Sequence, residues 1–254
     1  MTVKQEEETS AIAEEVKKKK TTRAPAQQRS FLRRVLRART ARIGIGILVI
    51  TAIIIAAGTL SHYAPNATSS AKNLAPSLKH PFGTDFFGHD LFSQIGWGAY
   101  PSFLVAGLAS IGAVTIGLLA GAVSGYYNRL SGIVGGTGDI IMAFPAIVLL
   151  LVIGSVFVAN DFLIAAILIL VFWPVVSRVV RNQVLAVKQL PYVDAARGSG
   201  YRDWQILIRI MLPEVGPLGI AYFILTIPLA IILVTAIEFL GVGNVTTVSW
   251  GTTL

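Results

Sequence analysis

Long apolar runs, separated by short polar segments, limit this chain to one kind of architecture. Stretches of bilayer-crossing length occupy 43–60, 102–126, 133–158, a run that begins near Phe162, and 215–240. The composition agrees, because 54% of the residues are hydrophobic, 13% are charged and the mean hydropathy is +0.70. Lipid cannot satisfy backbone polar groups, so such runs must be helical. The sequence therefore predicts an all-α polytopic membrane helix bundle with five spans.

The distribution of positive charge predicts how these spans are oriented. Nineteen of the 21 Lys and Arg residues fall in three segments that would share one side of the membrane: Lys4 to Arg42, Arg129, and Arg178 to Arg209. Lys72 and Lys79 lie in the long loop on the opposite side. Basic residues favour the cytoplasmic side, so we expect a cytoplasmic N-terminus in a multi-pass protein. The net charge of +8 then reflects orientation, and no nucleic-acid partner is expected.

The first 42 residues are polar and divide into two parts. Residues 1–28 contain almost nothing to bury and are predicted to be a disordered cytoplasmic tail. Residues 29–42 place apolar side chains on one helical face and arginines on the rest, which favours an interfacial amphipathic helix that leads into the first span, 43–60. A calmodulin-like or nucleic-acid-binding basic helix has the same pattern.

A polar segment, 192–213, interrupts the apolar runs, and its residues predict a specific local structure. Asp194 puts an acid at the start of a short helix, and Ala195 and Ala196 favour helix while adding little bulk. Gly200 can adopt the left-handed conformation that ends a helix. We therefore expect a short helix, a tight elbow at Gly200 and then a return toward the membrane.

A second short helix is predicted from Asp203 to Met211. Pro213 is expected to open the next helix, since its missing N–H is not needed there. The predicted apolar face of the short helix consists of four side chains, Trp204, Leu207, Ile208 and Met211.

Within this segment the order acidic-Ala-Ala, Gly, Ile-x-Leu-Pro resembles the signature loop of the inner-membrane permease subunits of binding-protein-dependent ABC importers. The seven positions that carry the resemblance are Asp194, Ala195, Ala196, Gly200, Ile210, Leu212 and Pro213. The resemblance implies that the loop, within 188–213, faces the cytoplasm and seats in a groove on a separate ATPase subunit. These seven residues would then form the ATPase-coupling site.

Further stretches resemble the C-type subunit of the dipeptide, oligopeptide and nickel importers. The predicted external loop, 61–101, contains His80-Pro81-Phe82-Gly83-Thr84-Asp85 and Gly88-His89-Asp90, similar to the family's lead-in to its second span. Asp139 to Pro145 and Ser249-Trp250-Gly251 are similar to two further family segments. Family members continue into a sixth span, so we expect the permease core, 102–254, to lack it.

The resemblance implies a membrane permease subunit of an ATP-driven ABC importer in the cell (inner) membrane. It would form half of a translocation path for di- or oligopeptides, with nickel or oligosaccharide as alternative cargoes. Its expected partners are a second homologous permease subunit, two cytoplasmic ABC ATPase subunits, an extracellular solute-binding protein and the lipid bilayer. The sequence has no Gly-x-x-x-x-Gly-Lys-Ser/Thr loop, so we expect no cofactor here, with ATP bound by the partner subunits, and no enzyme activity.

Other interpretations of individual motifs stay open at this stage. Gly136-Thr137-Gly138-Asp139 spells the Gly-x-Gly-Asp of intramembrane aspartyl proteases, which need a second acid, and Asp161 is the nearest. The external-loop residues His80, Asp85, His89 and Asp90 suit either a metal site or a hydrogen-bonded surface loop. A truncated, non-transporting membrane scaffold is a further alternative.

Two periodic features concern packing. Gly117, Gly121 and Gly125 recur every fourth residue, which predicts close approach of another helix. Three spans each contain a proline that is expected to interrupt their backbone hydrogen bonds: Pro145, Pro174 and Pro228.

Overall fold

The computed structural model describes residues 38–68, 72–157, 160–243 and 247–253. The predicted tail at 1–28, and residues 29–37 of the predicted interfacial helix, lie outside them. The chain divides into two compact units, Met1–Ile54 and Ile55–Leu254. Within the described ranges the regular structure is helical, apart from one isolated bridge between Thr84 and Asp90.

In the described part of the chain, five helices precede the polar segment: α1 (Arg39–Thr59), α2 (Leu91–Tyr126), α3 (Asn128–Met142), α4 (Ala146–Val156) and α5 (Asp161–Val187). The remaining elements are α6 (Pro191–Gly198), α7 (Asp203–Ile206), a π-helical turn (Leu207–Met211) and α8 (Leu212–Phe239). Residues 39–42 thus belong to the same helix as the first predicted span.

The described part of the chain contains four helices that are long and apolar enough to cross a membrane: α1, α2, α5 and the continuous helix Asp203–Phe239. Helices α3 and α4 bend by 81° and form a fifth span if they are counted together. The bend falls at Pro145, which lacks an N–H and disfavours helical backbone at Phe144. The prediction of an all-α polytopic bundle is confirmed.

The predicted glycine row brings α2 against α5. A Cβ atom added to Gly117 would lie 2.6 Å from Val176 Cβ, and one added to Gly121 would lie 2.6 Å from the Ser177 carbonyl oxygen. At Gly125 the corresponding distance to Val184 Cβ is 2.8 Å. Real Cβ atoms do not approach so closely, so the two backbones meet only because these positions carry no side chain. This confirms the predicted close helix approach.

A buried apolar cluster at the Tyr126 end of the bundle includes residues from the polar segment. Val193 of α6 and Ile206 of α7 are fully buried against valines of α5 such as Val184 and Val187. Met211 of the π turn is also fully buried there. The short elements after α5 are therefore packed into the core.

The loop predicted at 61–101 is shorter in the structure, because α2 begins at Leu91. Asp90 caps this helix, its carboxylate accepting a hydrogen bond from the Ser93 N–H at 3.0 Å. An acidic N-cap accepts a hydrogen bond from an otherwise unpaired N–H, and its negative charge is stabilised by the positive end of the helix dipole. The helix therefore starts well before the apolar run.

Pro213 lies in the first turn of α8, as predicted, but the short helix expected before it is not separate from this span. The helix is continuous from Asp203 to Phe239, and Pro213 lies inside it. The turn before the proline is widened, so that the Leu212 N–H bonds to the Leu207 carbonyl five residues back. Such a π turn lets the helix continue through a position that lacks an N–H donor.

The last described segment packs on the Asp90 end of the bundle. The Trp250 indole N–H donates to the Ile95 carbonyl at 3.0 Å, and the Trp250 backbone N–H donates to Ser102 Oγ at 3.1 Å. Ser249 Oγ donates to the buried Glu238 carboxylate at 2.6 Å. Glu238, in the last turn of α8, is therefore held by this segment.

Substitution of Gly121 by alanine is expected to lower the stability of the chain by about 1 to 3 kcal/mol, since the new methyl group collides with α5. Gly107 lies in the same helix and a Cβ there meets nothing within 4 Å, which makes Gly107→Ala the matched control. That control should be neutral, or stabilising by up to about 1 kcal/mol. Thermal unfolding of the purified variants measures both, and equal stabilities would contradict the described α2–α5 contact.

Candidate functional site

The seven predicted coupling residues start on α6, which follows α5 after a three-residue connection. Pro191 occupies the first turn of α6, where its fixed backbone angle favours helix and its missing N–H costs nothing. Asp194 lies in the same turn, near the positive end of the helix dipole. Its carboxylate accepts a hydrogen bond from Arg197 Nη1 at 3.2 Å, an exposed pair of small energetic value.

The elbow after α6 is a Schellman turn centred on Gly200. Gly200 has a φ of +84°, which L side chains rarely adopt. The Tyr201 N–H bonds to the Ala196 carbonyl at 3.2 Å, and the Gly200 N–H bonds to the Arg197 carbonyl at 3.0 Å. These two bonds satisfy carbonyls that would otherwise be unpaired at the helix end. The predicted left-handed turn at Gly200 is confirmed.

Burial divides α6 into an anchored side and an exposed side. Val193 is 0% exposed in the apolar cluster at the Tyr126 end, and Ala196 is half-buried. Asp194 and Ala195 are exposed, and a Cβ at Gly200 would meet nothing within 4 Å. The end of α6 and the turn that follows it thus form an exposed segment, which we call the α6 elbow (residues 194–200).

The other three predicted residues lie in the π turn and in the first turn of α8. Ile210 and Leu212 are half-buried and pack against the same apolar cluster as Val193, whereas Pro213 is exposed. The structure therefore separates the seven residues into two groups: Asp194, Ala195, Ala196 and Gly200 on the elbow, and Ile210, Leu212 and Pro213 on the helix that returns to the bundle.

The apolar face predicted for 203–211 is only partly correct. Trp204 and Ile208 are 51% and 53% exposed, whereas Ile206 is fully buried. The π turn shifts the register of the helix, so the i, i+3, i+4 spacing assumed for a regular α-helix does not describe its buried side.

Sequence reasoning did not identify Tyr126 as part of this region, although it connects four elements. Its hydroxyl donates to Asp203 Oδ1 of α7 at 2.6 Å, and its backbone carbonyl accepts from Lys188 Nζ, at the end of α5, at 2.8 Å. The Arg197 guanidinium of α6 lies 5.9 Å from the centre of its ring. No sequence spacing marks this residue, because its partners are distant along the chain.

The external-loop residues form two separate hydrogen-bonded pairs. His80 Nδ1 lies 3.0 Å from Asp90 Oδ1, and His89 Nδ1 lies 2.7 Å from Asp85 Oδ2. Burial raises the pKa of Asp85, but hydrogen bonds from His89 and from the Phe87 N–H outweigh it and bring that pKa below its usual value. No group of three or more possible metal ligands occurs among the described residues, so the arrangement favours the hydrogen-bonded loop.

Asp139, the acid of the protease-like motif, lies in the last turn of α3 and forms an ion pair with Arg178 of α5. Both side chains are more than half exposed. Asp161 begins α5, about 25 Å along that helix from Arg178. The structure therefore does not bring these two acids together as a catalytic pair would require.

Comparison with known proteins identifies the class of protein. Residues 113–251 match the family described as binding-protein-dependent transport system inner membrane component. The chain is 32% identical over 223 residues to a putative peptide transport system permease protein of Brucella suis, covering 86% of this chain and 75% of the relative. It is 35% identical over 235 residues to a glutathione transport system permease protein of Pectobacterium atrosepticum, covering 88% and 75%.

The chain therefore belongs to the family of inner-membrane components of binding-protein-dependent transport systems. Together with its apolar helices, this membership makes it a multi-pass membrane transport protein. The family consists of transport permeases, so the predicted absence of enzyme activity is confirmed and the protease interpretation is not supported.

Removal of the Tyr126 hydroxyl should loosen the elements around the elbow. We expect Tyr126→Phe to make the connection between α6 and α7 about fivefold more susceptible to trypsin at Arg197 and Arg202, as one lost hydrogen bond is worth about 1 kcal/mol. Tyr127→Phe is the matched control, since no hydrogen bond of its hydroxyl occurs within the described ranges. Equal cleavage rates for the two variants would show that the Tyr126 contact has no role in holding the segment.

Proposed function

We propose that this chain is the permease subunit of an ATP-driven importer and that the α6 elbow is the surface on which a separate ATPase subunit acts. The observation that supports this most strongly is the division of α6. Its exposed side carries the small Asp194 and Ala195, between the exposed Tyr192 and Arg197. Its other side is fixed to the bundle through the fully buried Val193.

This arrangement suits the transmission of force. To change a two-state equilibrium from about 1:99 to 99:1 takes about 5.5 kcal/mol of differential binding. A loose loop would dissipate that energy by local rearrangement. Here the elbow is closed by the Gly200 turn, and its Arg197 lies over the ring of Tyr126 at the end of α2. Tyr126 also bonds to Lys188 and Asp203, which lie on either side of the elbow in the chain. Displacement of the elbow would therefore move the ends of these helices with it.

The mechanism we propose is alternating access. When ATP binding closes a pair of ATPase subunits, the elbow is displaced and α5 and α8, which flank it in the chain, tilt to open the path toward the outside. Hydrolysis and release would reverse the movement. In this scheme the chain binds no nucleotide itself, and the ATP is held by the partner subunits.

The proposed orientation and partners follow from charge and family. The basic residues around the elbow, including Lys188, Arg197 and Arg202, favour a cytoplasmic location for the elbow, and the same side is proposed for the N-terminus. A second homologous permease subunit would complete the path, and an external solute-binding protein would deliver the cargo.

The cargo we propose is a small peptide. Relatives of this chain are named for peptide transport and for glutathione transport. Uptake of labelled di- and tripeptides by proteoliposomes that contain the permease pair, the ATPase pair and the binding protein tests this assignment directly. Saturable, ATP-dependent uptake supports it, whereas uptake of nickel or an oligosaccharide in place of peptides would overturn it.

A charge placed on the exposed side of α6 should disturb the coupling of ATP hydrolysis to transport but leave the fold of the chain intact. We expect Ala195→Asp to reduce ATP-driven uptake by at least about tenfold, because an unpaired carboxylate must be desolvated in the groove of the ATPase subunit. Gln189→Asp adds the same charge at an exposed position before α6 and is the control. Normal uptake by the Ala195 variant would contradict the proposed contact.

The Gly200 turn provides an independent test. Gly200→Val would force a β-branched residue to a φ of +84°, at a cost of about 1 to 2 kcal/mol, and should reopen the elbow. Gly216→Val, outside the elbow, is the matched control, because both positions have open space around a new Cβ but only Gly200 has a positive φ. We expect ATP hydrolysis to continue in both variants while peptide uptake falls only in the Gly200 variant. An equal effect of the two substitutions would contradict a role for the turn.

A further inference from the structure

A cavity of about 640 Å³ lies beside the elbow, at the Tyr126 end of the bundle. Its walls come from the junction of α2 and α3, from the end of α5 and from the elements on either side of Gly200. The side chains that determine its charge are those of Arg129, Lys188, Arg197 and Asp203. Three cations thus face one carboxylate. Arg197 also belongs to the α6 elbow, whereas Arg129 and Lys188 lie outside the proposed ATPase contact.

The positive groups retain capacity for a ligand, whereas the carboxylate is already engaged. Asp203 accepts the Tyr126 hydroxyl hydrogen bond at 2.6 Å. Lys188 Nζ donates to the Tyr126 carbonyl, which leaves two of its three N–H groups. Arg129 is exposed, and in the described ranges its guanidinium makes no hydrogen bond or ion pair. Arg197 is partly engaged, because it donates to the exposed Asp194 carboxylate at 3.2 Å. The three basic side chains together still carry more N–H donors than these acceptors satisfy, which suits an anion.

The surface next to the cavity is apolar and exposed. Leu130, a wall residue, is 38% exposed, and Ile133, one turn further along α3, is 65% exposed. A ligand that fills the cavity and also covers this face needs an anionic group joined to hydrocarbon. Arg and Lys side chains bind phosphate through charge-assisted hydrogen bonds, and basic pockets between membrane helices bind the phosphate groups of lipids.

We propose that this cavity is a phosphate-binding site, occupied by the headgroup of an anionic phospholipid whose acyl chains lie along Leu130 and Ile133 of α3. Arg129 is the main phosphate ligand, and Lys188 and Arg197 complete the positive wall. The assignment of the lipid to the cytoplasmic leaflet rests on the orientation proposed above, whereas the binding itself does not.

The test is native mass spectrometry of the full chain in detergent, titrated with phosphatidylglycerol. We expect Arg129→Gln to weaken binding about fivefold, as one basic group near a lipid surface contributes about that factor. Arg129→Lys should retain most of the affinity. Arg209→Gln removes a positive charge from the polar segment 192–213, outside the cavity, and should leave binding unchanged. Arg129 is chosen over Lys188 because it makes no contact on which the fold depends.

Three further results would overturn all or part of the proposal. Equal phosphatidylglycerol affinity in the wild type, Arg129→Gln and Arg209→Gln would exclude the site. Binding of inorganic phosphate alone, with full displacement of the lipid, would keep the phosphate chemistry but assign the ligand to solution. Unchanged lipid binding together with weaker association of Arg129→Gln with ATPase subunits would make the cavity a protein contact. The measurement needs neither cargo nor ATP, so its failure is distinguishable from failure of the proposed transport function.

Discussion

The close contact between α2 and α5 is the constraint on which the rest of the structure depends. Gly117, Gly121 and Gly125 let the two backbones meet, and any side chain there would collide with α5. Lipid provides little hydrophobic driving force between helices, so close backbone packing is a main source of association. The contact also fixes the end of α2 beside the end of α5. Tyr126 and Lys188 are adjacent for this reason, and the short elements after α5 are held at the place where the ends of α2 and α5 meet.

The function proposed for the chain follows from how those short elements are held. An importer of this kind must pass free energy released on one protein to a helix bundle in another, and this requires a contact surface that does not yield. The α6 elbow meets the requirement with few atoms: a buried valine, a Schellman turn and the contacts of one tyrosine. The proposed phosphate site adjoins the same junction. Lipid bound there would stiffen the junction from the membrane side.

Much of this could be predicted from the sequence, because the relevant signals are local. The length of the hydrophobic runs predicted the helix bundle, and the four-residue glycine spacing predicted the close approach of another helix to α2. Gly200 predicted the elbow. Pro145 marked the break between α3 and α4. In each case a single residue type has a physical property that the fold must use.

Other features could not be predicted, because they depend on residues that are distant in sequence or on exceptions to regular geometry. The start of α2 at Leu91 depends on Asp90 as a cap and so precedes the apolar run. The continuous helix through Pro213 requires a π turn, whose register also buries Ile206 in place of Trp204. The role of Tyr126 appears only when the ends of α2, α5, α6 and α7 are brought together.

The most direct test of the central claim is a spin-label distance between the elbow and α5 in the assembled transporter. The chain has no cysteine, so Tyr192→Cys, on α6 beside the elbow, and Asn182→Cys on α5, both at exposed positions, can be labelled without other changes. If the elbow is fixed to the bundle, the distance distribution is narrow and stays the same in the nucleotide-free and ATP-bound states. A broad distribution, or one that changes when ATP binds, would show that the elbow moves independently of α5 and would contradict the account.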